Sequence, residues 1–255
     1  MNIVVFTPKG GCAKTTISSI LASYLLDATL IEIDYINQSD RRIDSKGFYD
    51  SFQVNFNDES SESFFEFENF LLKANTKIID VGSVMIDKFQ QSIKNSNLYS
   101  TIDLIIVPST DGSEDFNLAV KFLENIKDDF PAEKIIFGFN RYNKEYDSPQ
   151  EQFDTFFKNK SVIKKEFGID LDNEDNWFVI EDSKAIKKAR SMGIPFKSLV
   201  DEDIDELTKQ QRAELEDDEK RMIFTKRKGL VQNAQRLYKS YIVQMMEKIV
   251  KKLEV

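Results

Sequence analysis

Nine residues near the start of the chain constrain its fold more than any other stretch: Pro8-Lys9-Gly10-Gly11-Cys12-Ala13-Lys14-Thr15-Thr16. An apolar run at 3–6 precedes them and a helix-patterned run at 15–26 follows. Strand, glycine turn, Lys-Thr and helix make the layout of a phosphate-binding loop. In that layout successive backbone N–H groups from Gly10 to Thr16 curl round an anion, and the helix N-terminus adds partial positive charge. Lys14 is placed to reach the β- and γ-phosphates, and the Thr15 hydroxyl to ligate Mg²⁺.

The loop departs from the common pattern. Ala13 stands where a second glycine is usual, and an extra lysine, Lys9, opens the turn. Lys-Gly-Gly-x-x-Lys-Thr-Thr resembles the deviant phosphate loop of the ParA/MinD family. The resemblance implies that Lys9 crosses a dimer interface and touches the nucleotide of a second copy. If Ala13 needs a positive φ, its methyl costs on the order of 1 kcal/mol. Cys12 beside Lys14 is expected either to have a lowered pKa and be oxidisable, or simply to fill the loop.

Composition narrows the chemistry. The chain has 255 residues, enough for one domain with a full core. It contains no histidine, which excludes His-based acid–base chemistry and the common zinc sites. Its single cysteine excludes an internal disulfide and fits a reducing, cytoplasmic setting. The start shows neither a signal-peptide pattern nor any membrane-spanning run. A net charge of −9 argues against nucleic acid covering the whole surface but leaves a local patch open.

Strand and helix patterns alternate through most of the chain, which predicts a doubly wound α/β fold with a mostly parallel sheet. Strands are expected at 3–6, 29–34, 49–56, 77–80, 103–108, 134–139 and 177–180. Helices are expected at 15–26, 62–73, 114–127, 150–167 and 183–192. In the second of these, Phe64, Phe65, Phe67 and Leu71 are expected to face inward. Residues 1–200 form the nucleotide-binding domain in this reading, and 201–255 a helical extension packed on it or projecting from it. Within the extension, 201–220 is acidic, Lys226-Arg227-Lys228 is a basic patch, and 238–253 is a basic amphipathic helix.

Parallel strands end at one edge, so Asp34, Asp80, Pro108 and Asn140 are expected to gather near the loop. Asp80 ends an apolar strand, a way of presenting a carboxylate to Mg²⁺. Gly82 lets the backbone approach the γ-phosphate and change conformation. Asp80-Val81-Gly82 resembles the family's second switch. In the wider family an Asp-x-Asp-Pro-Gln segment polarises the attacking water. Asp34 fills that place in one alignment, and Asn37 or Gln38 in a shifted one. Asn140-Arg141 resembles the family's base-recognition corner, the Asn140 amide offering a donor and an acceptor to adenine. Ile180 and Glu181 are further base-contact candidates.

The resemblance runs from residue 2 to about 195. Residues 32–37 and 80–83 look closer to the plasmid-stability StbB branch than to typical ParA. It implies an ATPase that binds ATP or ADP with Mg²⁺, hydrolyses slowly and switches as an ATP-dependent homodimer. The implied setting is plasmid partition, with a DNA-binding adaptor as partner. Lys9, Lys14 and Asp34 are its catalytic candidates, Thr15 and Asp80 its metal ligands. Three rival readings stand beside it. Ala13 fits a nucleotide switch with little hydrolysis. The amphipathic end fits a MinD-like membrane-surface protein. The patch at 226–228 fits nonspecific DNA binding.

Overall fold

The computed structural model describes residues 1–34, 45–54, 61–213 and 217–254. Seven strands form one sheet: β1 (Asn2–Val5), β2 (Ala28–Ile33), β3 (Asp50–Val54), β4 (Thr76–Val81), β5 (Leu104–Ser109), β6 (Ile135–Tyr142) and β7 (Trp177–Glu181). Their order is β3-β2-β4-β1-β5-β6-β7, and every pairing is parallel. All seven carboxyl ends therefore lie along one edge.

Side-chain alternation assigns the two faces. Val4, Ile31, Ile79, Ile105 and Phe137 share one core with α2 (Glu62–Leu71), α3 (Ile86–Asn95), α4 (Ser113–Ile126), and, after the short α5 (Pro149–Gln152), α6 (Asp154–Lys158) and α7 (Lys160–Phe167). Ile3, Val5, Leu30, Ile78, Ile106 and Phe178 share the other with α1 (Lys14–Tyr24), α8 (Lys184–Ser191) and α9 (Phe196–Val200). Residues of α11 (Asp218–Leu237) and α12 (Val243–Leu253) complete that second core, after α10 (Ile204–Ala213). The layers are helix, parallel sheet, helix.

Three expectations need correction. Phe65 is 51% exposed, because α2 buries Phe64, Phe67 and Leu71 and the neighbouring position points roughly 100° away. The single helix expected over 150–167 is three short ones, broken at Phe153 and Asn159, whose backbones leave the helical region. The breaks let Phe153 stack on Phe139 and Phe156 meet it edge-on, with ring centroids 4.8 and 5.1 Å away. The strand expected to end at 139 continues to Tyr142 through an irregularity between Asn140 and Tyr142.

The amphipathic end faces its own protein. Ile242, Met245 and Ile249 are fully buried in the second core. Lys248 donates to the Trp177 carbonyl and lies over its ring, Lys251 pairs with Asp175, and Lys252 reaches Asn176 and the Glu133 carbonyl. Most of the apolar face, with Lys248 and Lys252, is thus used inside the fold, and Lys251 sits in a surface ion pair, so the helix packs on its own domain. Among the described residues no helix is long and apolar enough to cross a membrane. In the basic patch, Arg227 pairs with Glu202 at 2.6 Å.

Candidate functional site

The loop between β1 and α1 closes on itself through Lys14. Its Nζ donates to the carbonyls of Thr7 at 3.0 Å and Lys9 at 2.8 Å. Burial lowers the Lys14 pKa, opposed by the nearby Asp80 and Asp34. Gly11 and Ala13 both take positive φ, 81° and 65°. Ala13 is the N-cap of α1 and supplies no side-chain cap, so the first amides of the helix keep their donors for a ligand. The backbone conformation that glycine adopts freely is therefore carried here by an alanine.

A cavity of about 330 Å³ opens over this loop. It is lined by Gly10, Gly11, Ala13, Lys14, Thr15 and Thr16 on its floor, by Glu32, Asp34, Asp80, Gly82 and Ser83 on one side, and by Asn140, Arg141 and residues 180–183 on the other. Parallel register brings the acids together: Glu32 stands opposite Asp80 across β2 and β4. Pro108 ends a parallel strand but does not line the cavity. Asn37 and Gln38 lie outside the described residues.

Asp80 carries the clearest sign of an ion site. Burial pushes its pKa up to about 6, against the Thr15 hydroxyl that hydrogen-bonds it; Glu32 adds to the rise. Its Oδ1 is buried and has no hydrogen-bond partner. A buried carboxylate oxygen beside a threonine hydroxyl fits Mg²⁺, which takes one or two protein oxygens and fills its shell with water and phosphate. Among the described residues no group of three or more His, Cys, Asp or Glu side chains could hold a metal. Two donors beside a phosphate cradle suit a metal carried on a triphosphate.

Gly82 serves Asp34 directly. A Cβ at Gly82 would lie 2.6 Å from Asp34 Cγ, and the Gly82 amide donates to the Ile33 carbonyl at 2.7 Å. The missing side chain is what lets the Asp34 carboxylate rest beside Asp80. The approach of the backbone to the γ-phosphate expected at Gly82 is thus, in this structure, a close approach to a carboxylate.

Asn140 and Arg141 grip the loop. Asn140 Nδ2 donates to the carbonyls of Gly138 at 2.9 Å and Cys12 at 3.2 Å, while its buried Oδ1 has no partner. The amide donor is thus occupied, and only the acceptor remains for a base. Arg141 sits at φ 61° in the irregular end of β6 and donates to the Gly11 carbonyl at 2.9 Å. Gln152 Nε2 donates to the Arg141 carbonyl and holds this bend.

Lys9 and Cys12 turn away from the cavity toward Asp115, which the sequence reading missed. Lys9 Nζ lies 2.6 Å from Asp115 and 2.9 Å from Glu114. Cys12 Sγ donates to Asp115 Oδ1 at 3.1 Å, and the Thr110 amide donates to the same oxygen at 3.1 Å. Burial alone would raise the Asp115 pKa, but these donors hold it below the usual carboxylate range. Burial and the Asp115 contact push the Cys12 thiol up to about 12, which corrects the expected lowering and leaves it unreactive. An acid in the first turn of the helix after β5 was the available signal.

No protein-family model matches the chain. No curated protein matches it either. Solved structures similar to it include a plasmid partition protein from Borrelia burgdorferi B31 bound to AMPPNP. That protein is 15% identical, with 76% of this chain and 90% of that one covered and a TM-score of 0.49. A second crystal structure of a Borrelia burgdorferi plasmid partition protein is 17% identical over 77% and 98%, with a TM-score of 0.45. A Cyanothece McdA–ATP complex is 13% identical over 78% and 89%, with a TM-score of 0.46.

Proposed function

We propose that this chain is a ParA/MinD-type ATPase that binds Mg-ATP and acts as a nucleotide-switched homodimer in DNA partition. One observation carries the reading. The loop at 9–16 sits at the carboxyl edge of an all-parallel sheet, with the Thr15–Asp80 pair and the unpartnered Asp80 Oδ1 beside it. Main-chain amides and Lys14 hold the triphosphate, and Thr15 with Asp80 holds the metal. Magnesium there would offset charge building on the phosphate oxygens. Asp34, seated against Gly82, orients the attacking water. Lys9 adds a second cation from the facing copy. The partition role rests on the resemblance of the loop and of residues 80–83. The narrower StbB-like placement rests partly on residues 35–37, which lie outside the described residues.

A second reading has its own support. Ala13 at φ 65° places a methyl in the phosphate cradle, which favours a switch that binds nucleotide and hydrolyses little. Calorimetric titration with Mg-ATP tests the shared core. The wild type is expected to bind, and Lys14→Ala to lose binding; undiminished affinity in that variant removes the reading. Phosphate release measured with DNA and the adaptor present then separates the ATPase from the silent switch.

A further inference from the structure

The far wall of the cavity is built by the end of β7 and the turn into α8, and it is held from outside. Glu181 lines the cavity, its side chain only 14% exposed. Arg236 of α11 grips both its oxygens, Nη1 to Oε2 at 3.0 Å and Nη2 to Oε1 at 2.7 Å. Lys144 adds a contact at 3.2 Å. Ser183 caps α8, and its Oγ donates to Asn233 Oδ1 at 3.0 Å; the Ala185 amide donates to the same oxygen at 3.3 Å. Asn233 and Arg236 are three residues apart, so both project from one face of α11. The grip falls within the buried stretch of that helix, whose buried residues are Val231, Ala234 and Leu237.

The cavity has a direction. Glu32, Asp34 and Asp80 crowd the β2–β4 side, where a metal and terminal phosphate belong. The nucleoside then extends the other way, over Asn140 and Ile180 toward Glu181 and Ser183. We infer that Asn233 and Arg236 are positioning residues for the nucleoside end of the ligand, so that the C-terminal helices are coupled to nucleotide occupancy. This rests on the nucleotide-binding reading above. Glu181 carries a charge whose pKa, raised by burial, is brought below the ordinary value by Arg236 and Lys144, so the contact is ionic at neutral pH. A bidentate guanidinium–carboxylate pair fixes direction as well as distance. Losing it frees the strand end that faces the base. By reciprocity, a bound nucleoside holds α11 in place.

The test compares two ligands on the full chain: Mg-ATP, and magnesium tripolyphosphate, which has the phosphates without the nucleoside. Arg236→Gln is expected to weaken Mg-ATP by about tenfold. Tripolyphosphate affinity should stay within about twofold, since the loop and the Thr15–Asp80 pair hold it without Arg236. Arg236→Lys should recover part of the loss. Asn233→Ala should shift the two ligands the same way and serves if Arg236→Gln does not fold. An equal loss for both ligands, or none for Mg-ATP, overturns the inference alone. A wild-type chain that binds neither ligand overturns the nucleotide reading and takes the inference with it.

Discussion

Lys9 Nζ lies 2.6 Å from Asp115 Oδ2 of its own chain, and Asp115 has a side chain only 2% exposed. The lysine proposed to serve a second copy is held by two acids at the start of α4 of its own chain. Crossing over would exchange these carboxylates for phosphate oxygens. In the proposed dimer that exchange would set monomer and dimer in competition for one ammonium group.

That competition gives Lys9 a stability role that a residue acting only across an interface would lack. Lys9→Ala leaves Asp115 buried with Thr110 and the Cys12 thiol as its remaining donors, and is expected to cost the nucleotide-free protein about 2 kcal/mol at pH 7. Asp115 has a depressed pKa, so its contribution is present above the ordinary carboxylate value and lost as pH falls through the native value. The deficit should therefore shrink in acid. Urea unfolding of wild type and variant at pH 7 and near pH 2 checks both size and trend; an unchanged midpoint at pH 7 contradicts it.

Asp80 should behave with the opposite sign. Its native pKa, about 6, lies above the ordinary 3.8, so the folded chain binds the extra proton between those values. Stability of the nucleotide-free protein should fall as pH rises from about 4 to 6, by at most about 3 kcal/mol. Asp80→Asn should remove that slope and stabilise the apo protein at pH 7. The same variant should lose the magnesium dependence of nucleotide binding, because the amide carries no charge. In the wild type that dependence should fade below about pH 6. Thermal melts across pH, paired with titrations with and without magnesium, measure each part.

Ala13→Gly should relax the loop. An alanine at φ 65° costs about 1–2 kcal/mol. Glycine returns part of this through a freer unfolded chain, for a net stabilisation of about 0.5–1 kcal/mol. Nucleotide affinity should rise as the methyl leaves the cradle. Reduced stability together with weaker Mg-ATP binding would show that the methyl belongs to the working geometry.

Much of the site was legible before folding. Strand, glycine turn, lysine and helix are local chemistry, and most of the loop's residues, Asp34, Asp80 and Asn140 meet around one cavity because parallel strands end at one edge. Short-range pattern fails where a partner comes from far along the chain. Asp115 lies 106 residues from Lys9, and Arg236 lies 55 residues from Glu181. The amphipathic stripe of α12 reads alike whether its apolar face meets lipid or its own sheet; burial of Met245 and Ile249 answers that.

By itself, the sequence determined the parallel α/β architecture and the phosphate-loop layout. Both follow from hydrophobic period and from the backbone needs of glycine, which neighbouring residues express directly. Only the tertiary structure decided which way each charge turns: Lys9 toward Asp115, the Asn140 donor toward the loop, Glu181 toward Arg236. Such choices depend on which polar groups become buried together, and burial is a property of the packed chain.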